Sequence, residues 1–266
     1  MPPVDWWVTL MPWLGTLLGG GLIAVVVLVF IAAPVVVRLM YSIAPEDLER
    51  PIDAGELPPE VVGWFETTAR PLCDRGFMPV GTMGFRKSMG TTDSVGYSRL
   101  LADHHEGTWV KLGAVRTNTT GAGRREIRVM GIMTEFADGR QFQTQGGPQP
   151  SALGPLAWQR VNRFPHVRDL KLLLRLHCLI LQQQPAGTRA AIPRGREEQY
   201  AMEQERRYFD AHVEVGNLFV DAAGRYRVTW KRAFLAGPKL SPPCTWVATL
   251  IVGWRERTML RTLDRT

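Results

Sequence analysis

The chain begins with one long apolar block and continues as shorter apolar and polar alternations. From Trp6 to Val37 there is no charged residue, and Leu22 to Ile31 is continuously apolar. Read as a helix at about 1.5 Å per residue, Trp13 to Val37 extends roughly 37 Å, enough to cross a hydrocarbon core of about 30 Å. The pattern predicts a short extracytoplasmic N-terminus over 1–12 and a transmembrane helix with its flank over 13–41. Trp6, Trp7 and Trp13 precede the span and Tyr41 follows it, at the positions where amphipathic rings favour the headgroup layer. A cleaved signal peptide fits less well, because no basic leader precedes the block and Ala32-Ala33-Pro34 departs from the A-x-A form. Gly15-x-x-x-Gly19 would let two spans approach closely, which makes a homodimer through this helix an expectation, and Pro34 marks a kink.

After the block, residues 42–58 are acidic and Pro-containing and read as a tether with little core to bury. An α+β domain is expected over 59–230. Val61, Val62, Phe65, Ala69 and Leu72 recur at helical spacing before Gly76. Five segments with strand character follow, at 77–87, 94–102, 108–117, 125–136 and 140–145, and predict an antiparallel β-meander. Asp138-Gly139 suits the two central positions of a type I′ turn. Residues 146–157 are loop by composition, whereas 167–184 is apolar almost all round and belongs in a core, laid across the sheet. A charged, solvent-facing helix over 195–212 and a hairpin pairing 218–220 with 226–230 complete the domain. The fold class is α+β: an N-terminal transmembrane helix, then an antiparallel β-meander packed against helices.

Charge changes the picture at the C-terminus. Between Arg225 and Thr266 nine Lys or Arg stand against two acids, a surplus of +7 that equals the formal charge of the whole chain. Within the basic tail over 231–266, Cys244 to Trp254 is an uncharged run of 11 residues, too short to span a bilayer. Trp230, Trp246 and Trp254 with Arg255 and Arg257 suit a segment lying on anionic lipids. The alternative is a buried strand or short helix of the domain. A nucleic-acid surface has a similar footprint, but no recognised module accompanies it and no nucleic-acid partner is expected. No Lys or Arg precedes the span while Arg38 and Arg50 follow it, which places the domain in the cytosol.

Catalytic patterns are interrupted. Gly81 to Ser88 has the spacing of a phosphate loop but carries Arg86 where the second glycine belongs. His104-His105-Glu106 is the densest group of potential ligands, and neighbours on a strand point to opposite faces, so neither a metal nor acid–base work is expected there. Cys73, Cys178 and Cys244 form no C-x-x-C pair and read as small buried hydrophobes. No cofactor is implied. The reading is a non-catalytic interaction or scaffold module at the cytosolic membrane face. The alternatives are a lipid or amphiphile binder, with an apolar pocket between meander and helix, or an enzyme with a dispersed site.

Phe136-Ala-Asp-Gly-Arg-Gln-Phe-Gln-Thr144, Phe164-Pro165 with His177 downstream, and Tyr226-Arg-Val-Thr-Trp-Lys-Arg-Ala-Phe234 give the chain a family resemblance over residues 60 to 235. It resembles uncharacterised bacterial single-pass membrane proteins with an N-terminal anchor and an α+β domain. The resemblance implies the architecture and assigns no activity or site residue.

Overall fold

The computed structural model describes residues 13, 16, 19–21, 23–89, 92–121, 123–147, 153–185, 187–240 and 244–263. Helix α1 (Gly19–Met40) is long and apolar enough to cross a membrane, and only 12% of its most apolar window is buried. Leu28–Ala32 widens to a π-helix just before Pro34, whose missing N–H and bulky ring cannot fit the regular ladder. The kink expected at Pro34 is thus a local widening. Trp6, Trp7 and Gly15 lie outside the described residues.

The main sheet has the order β2 (Arg50–Pro51), β3 (Met78–Met89), β4 (Thr92–Asp103), β5 (Thr108–Thr119), β6 (Gly123–Glu135), β7 (Gln141–Gly146) and β8 (Gln159–Phe164). It is a mostly antiparallel meander, with β8 joining β7 in parallel. Strand β8 was not legible: Gln159-Arg-Val-Asn-Arg-Phe164 does not alternate cleanly, and a parallel partner needs a crossover that reads as loop. The β6–β7 connection differs from the expected I′ turn. Among the described residues no non-glycine residue has positive φ, and in this connection Gly139 (φ 83°) does. Gly139 N–H donates to Phe136 O at 2.8 Å, making a three-residue loop in which a left-handed glycine follows the turn.

Helices α2 (Pro59–Cys73) and α3 (Leu170–Gln182) cover one face of the sheet. Val61, Phe65 and Leu72 of α2 and Leu170, Leu173 and Leu176 of α3 meet Leu101, Val110, Leu112, Met130, Ile132 and Phe142 in one core. Each such side chain contributes about 1.5–3 kcal/mol of burial. Asp169 caps α3 by accepting from Lys171 N at 2.9 Å. His177 is fully enclosed there and bridges two strands, with Nε2 2.9 Å from Thr134 Oγ1 and Nδ1 2.8 Å from Thr144 Oγ1.

Residues 42–58 are not a free tether. Ala44 and Leu57 are buried, Ile52 packs on the core, and the segment supplies β1 (Ser42–Ile43) and β2. β1 pairs with β10 (Tyr226–Val228), which pairs with β9 (Leu218–Val220), in a small second sheet. Its short apolar side chains find a core at the foot of α1, where Leu153, Phe209, Leu218, Val228 and Ala233 meet Val37 and Tyr41. Among the described residues the tail is helical, as α5 (Trp230–Leu240) and α6 (Cys244–Leu263), so of the alternatives for 244–254 the strand is excluded and the segment is part of a longer helix. Cys73 and Cys178 are exposed rather than buried.

Burial lowers the pKa of His177 to about 4, and burial together with Arg232 lowers that of His212 to about 4. An unfolded imidazole titrates near 6.5, so the unfolded chain binds more protons between about pH 4 and 6.5 and stability rises with pH across that window. His177→Gln is expected to remove on the order of 3 kcal/mol of this dependence, read as melting temperature against pH, with His212 supplying the remaining slope. An unchanged slope would show that His177 titrates normally.

Candidate functional site

The second face of the sheet follows from the same alternation. Leu100, Lys111, Gly131, Gln145 and Arg163 oppose one another across β4 to β8. Met83, Ser98, Gly113 and Val129 form the adjoining row, and Phe85, Val115 and Ile127 lie beyond it. Apolar side chains dominate from β3 to β6, and Gln141, Gln143, Gln145 and Gln159 dominate on β7 and β8.

Helix α4 (Glu197–Glu214) covers this face, with Ala201, Gln204, Glu205 and Tyr208 turned inward at helical spacing. The sequence reads as a solvent-facing helix, because its many charges mask a four-residue inner stripe. Tyr200 stacks on Trp109 with centroids 5.3 Å apart and planes at 23°, and donates to Glu135 Oε2 at 2.8 Å. Arg207 Nη1 donates to Glu135 Oε1 at 2.8 Å. Phe209 enters the core at the foot of α1. These contacts clamp α4 over the sheet, while Gly113 and Gly131 beneath it contribute no side-chain volume. At Gly131 an added Cβ would find nothing nearer than Lys111 O at 3.9 Å. The result is an open-mouthed cavity of about 620 Å³, also lined by Leu153, Gly154 and Pro155. That volume lies within the range of about 300–1,000 Å³ typical of small-molecule sites.

Its polar groups fall into two sets. On the β7–β8 side, Gln141 Oε1 accepts from Gln143 Nε2 at 2.6 Å and from Gln159 Nε2 at 2.8 Å, and Gln143 Oε1 accepts from Gln145 Nε2 at 3.2 Å. The chain of amides ends at Gln145 Oε1, a buried acceptor without a partner among the described residues, and Gln204 Oε1 on α4 is another. An unmet buried acceptor costs about 1–3 kcal/mol, so both favour a donor brought into the cavity.

The second set is ionic. Lys111 Nζ lies 2.5 Å from Glu49 Oε2, which also accepts from Ser98 Oγ at 3.3 Å, and Glu49 N donates to Glu205 Oε2 at 3.1 Å. Burial opposes the charge of Lys111, but Glu49 and Glu205 outweigh it and raise its pKa. Burial pushes Glu205 up to about 7; Lys111 pulls it down, and the Glu49 carboxylate adds to the rise. With 47% of the Lys111 side chain exposed to the cavity and its mouth, the pair adds little stability, as exposed ion pairs are worth about 0–1 kcal/mol. The rise at Glu205 comes first from burial, which Lys111 opposes.

His104 does not converge with His105 and Glu106, whose Nδ1 and Oε1 lie 3.3 Å apart. They occupy the β4–β5 turn, where His104 turns inward to Ile192 O (3.3 Å) and Glu197 (3.2 Å) while His105 points to solvent. Glu106 pairs with Arg189. Among the described residues no group of three or more His, Cys, Asp or Glu side chains is placed to hold a metal ion. Of the interface candidates, Trp13, Trp230 and Trp254 are 66%, 50% and 64% exposed, and Arg255 and Arg257 are exposed. Tyr41 differs: its ring is half-buried in the core at the foot of α1, because β1 carries the chain straight into the domain. The Trp246 side chain is outside the described residues. Sequence reasoning missed Glu49, Lys111, Gly131 and Glu205. The alternation Gln141-x-Gln143-x-Gln145 beside Gly131 was the available signal, since it puts amides on a face that a covering helix would otherwise dry. No family model, curated protein or solved structure matches the chain.

A carboxyl with a folded pKa above its unfolded value costs stability once ionised, so the Glu205 penalty grows as pH rises from about 4.5 to about 7. Glu205→Gln is expected to melt higher than the parent above pH 7, by on the order of 1–3 kcal/mol, with the difference vanishing toward pH 4.5. A difference independent of pH would place the Glu205 titration elsewhere.

Proposed function

We propose that the chain is a membrane-anchored, non-catalytic binding module whose cavity takes a single amphiphile. The observation that carries the reading is the cavity of about 620 Å³ between α4 and the sheet, apolar toward β3–β6 and amide-lined toward β7–β8. An acyl or similar chain would lie against Phe85, Val115, Ile127 and Val129. A hydroxyl or amide head would donate to Gln145 and Gln204. Neutral, zwitterionic or cationic heads suit the Glu49, Lys111 and Glu205 group better than anionic ones, because its two carboxyls face one ammonium.

The membrane enters through α1, by length and apolarity. The cavity adjoins its foot, since Leu153 and Tyr208 line the cavity and also pack in the cluster that holds Val37 and Tyr41. Arg38 and Arg50 on the domain side support a cytosolic domain.

Native mass spectrometry of the full chain, released from detergent after purification from its membranes, is expected to find a retained amphiphile. Gly131→Phe would fill the cavity without positive-φ strain and should reduce retention by about tenfold or more while membrane association persists, a loss of about 1.4 kcal/mol per decade. A parent chain that carries nothing, or equal retention in the filled variant, would overturn the reading.

A further inference from the structure

The geometry points to a second membrane element: α5 and α6 form a re-entrant helical hairpin that enters the leaflet on the domain side, beside α1. The inference rests on α1 crossing the bilayer. Arg38 lies against Trp230, 5.5 Å from the ring centroid, and Pro34 lies against Gly237, where an added Cβ would come within 2.7 Å of Pro34 Cδ. Helix α5 therefore runs antiparallel to α1, away from the domain. Ala233 and Ala236 are buried on the same side as Gly237, the small-residue contact by which helices pack in lipid. Phe234 and Leu235 turn away from α1 and Trp230 flanks the contact, each about half exposed.

Helix α6 returns. Its first part exposes Leu250, Ile251 and Trp254, and its last part packs Met259, Leu260 and Leu263 on the domain core. The change falls at Glu256, which is buried and bonded to His166 Nδ1 at 2.8 Å. Each of the three helices thus passes from the domain to an exposed apolar surface beside cations or tryptophans: Arg38 on α1, against Trp230 of α5, and Trp254 to Arg257 on α6. Aromatic rings and cations mark a headgroup level on each.

Between residues 233 and 254 the only charged residue is Lys239. The 11 residues of α5 extend about 16 Å, half of a hydrocarbon core of about 30 Å, so the hairpin must leave by the side it entered. Its occupant is lipid acyl chains, because the exposed faces of α5 and α6 continue the exposed apolar surface of α1 and their helical backbones meet their own hydrogen bonds.

The test uses the full chain with Cys73, Cys178 and Cys244 changed to Ser, a nitroxide on one introduced cysteine at a time, and vesicles of phosphatidylcholine and phosphatidylglycerol. Collision with oxygen is compared with collision with a water-soluble nickel chelate. The oxygen-to-nickel ratio at Phe234→Cys and Leu250→Cys should match that at Val27→Cys and exceed that at Glu203→Cys several-fold. It should rise from Trp230→Cys to Leu235→Cys and fall from Leu250→Cys to Trp254→Cys. Water-like values at 234 and 250 with a lipid-like value at 27 would overturn the hairpin and leave the anchor standing. Water-like values at all three would remove both. Shallow values that oscillate with helical period, or spin–spin broadening between copies at 234 and 250, would replace the hairpin by a surface helix or a dimer seat.

Discussion

The packing of α2 and α3 against one face of the seven-stranded sheet governs what the other face can be. Strands alternate, so the residues that bury Val110, Leu112, Met130, Ile132 and Phe142 in the core necessarily turn Lys111, Gly113, Gly131 and the β7 glutamines outward. The second face has apolar side chains of its own, Phe85, Leu100, Trp109, Val115 and Ile127 among them, but Gly113 and Gly131 leave a gap between them and α4, and that gap is the cavity.

Helix α4 is held differently from α2 and α3. Its grip comes from Tyr200 on Trp109, the buried Glu135 with Tyr200 and Arg207, and Phe209 at one end. Tyr200, Ala201 and Met202 also pack on Met83, Leu100 and Trp109, so the seat of α4 joins polar and apolar contacts around the rim of the cavity. The foot of α1 shares Tyr208 and Leu153 with the lining of the cavity, so α1 and the cavity are adjacent.

Much of this was legible in the pattern of residues. The uncharged block gave α1, period-two alternation gave five strands close to their observed bounds, and the Leu-rich run gave α3 with His177 inside it. What stayed hidden had physical causes. β8 is a polar edge strand placed by a parallel crossover. The segment 42–58 is folded by contacts to residues far along the chain, such as Glu49 with Lys111 and Glu205, which no local signal encodes. The cavity arises from the register of β5, β6 and β7, and a register is a relation between strands that alternation within each one leaves open. In the tail, Trp230 and Trp254 stood out by type, but the side of α5 that meets α1 is defined by Ala233, Ala236 and Gly237, whose small size carries meaning only opposite Pro34.

The most direct measurement is photocrosslinking in native membranes with a long-chain amphiphile bearing a diazirine near its chain end, followed by mapping of the labelled peptides. An amphiphile seated between α4 and the sheet labels β5 and β6, around Val115, Ile127 and Val129, and unlabelled amphiphile competes it away. Labelling confined to α1, α5 and α6 would contradict the account, since it would mean that the chain meets such molecules only as bulk lipid around its helices.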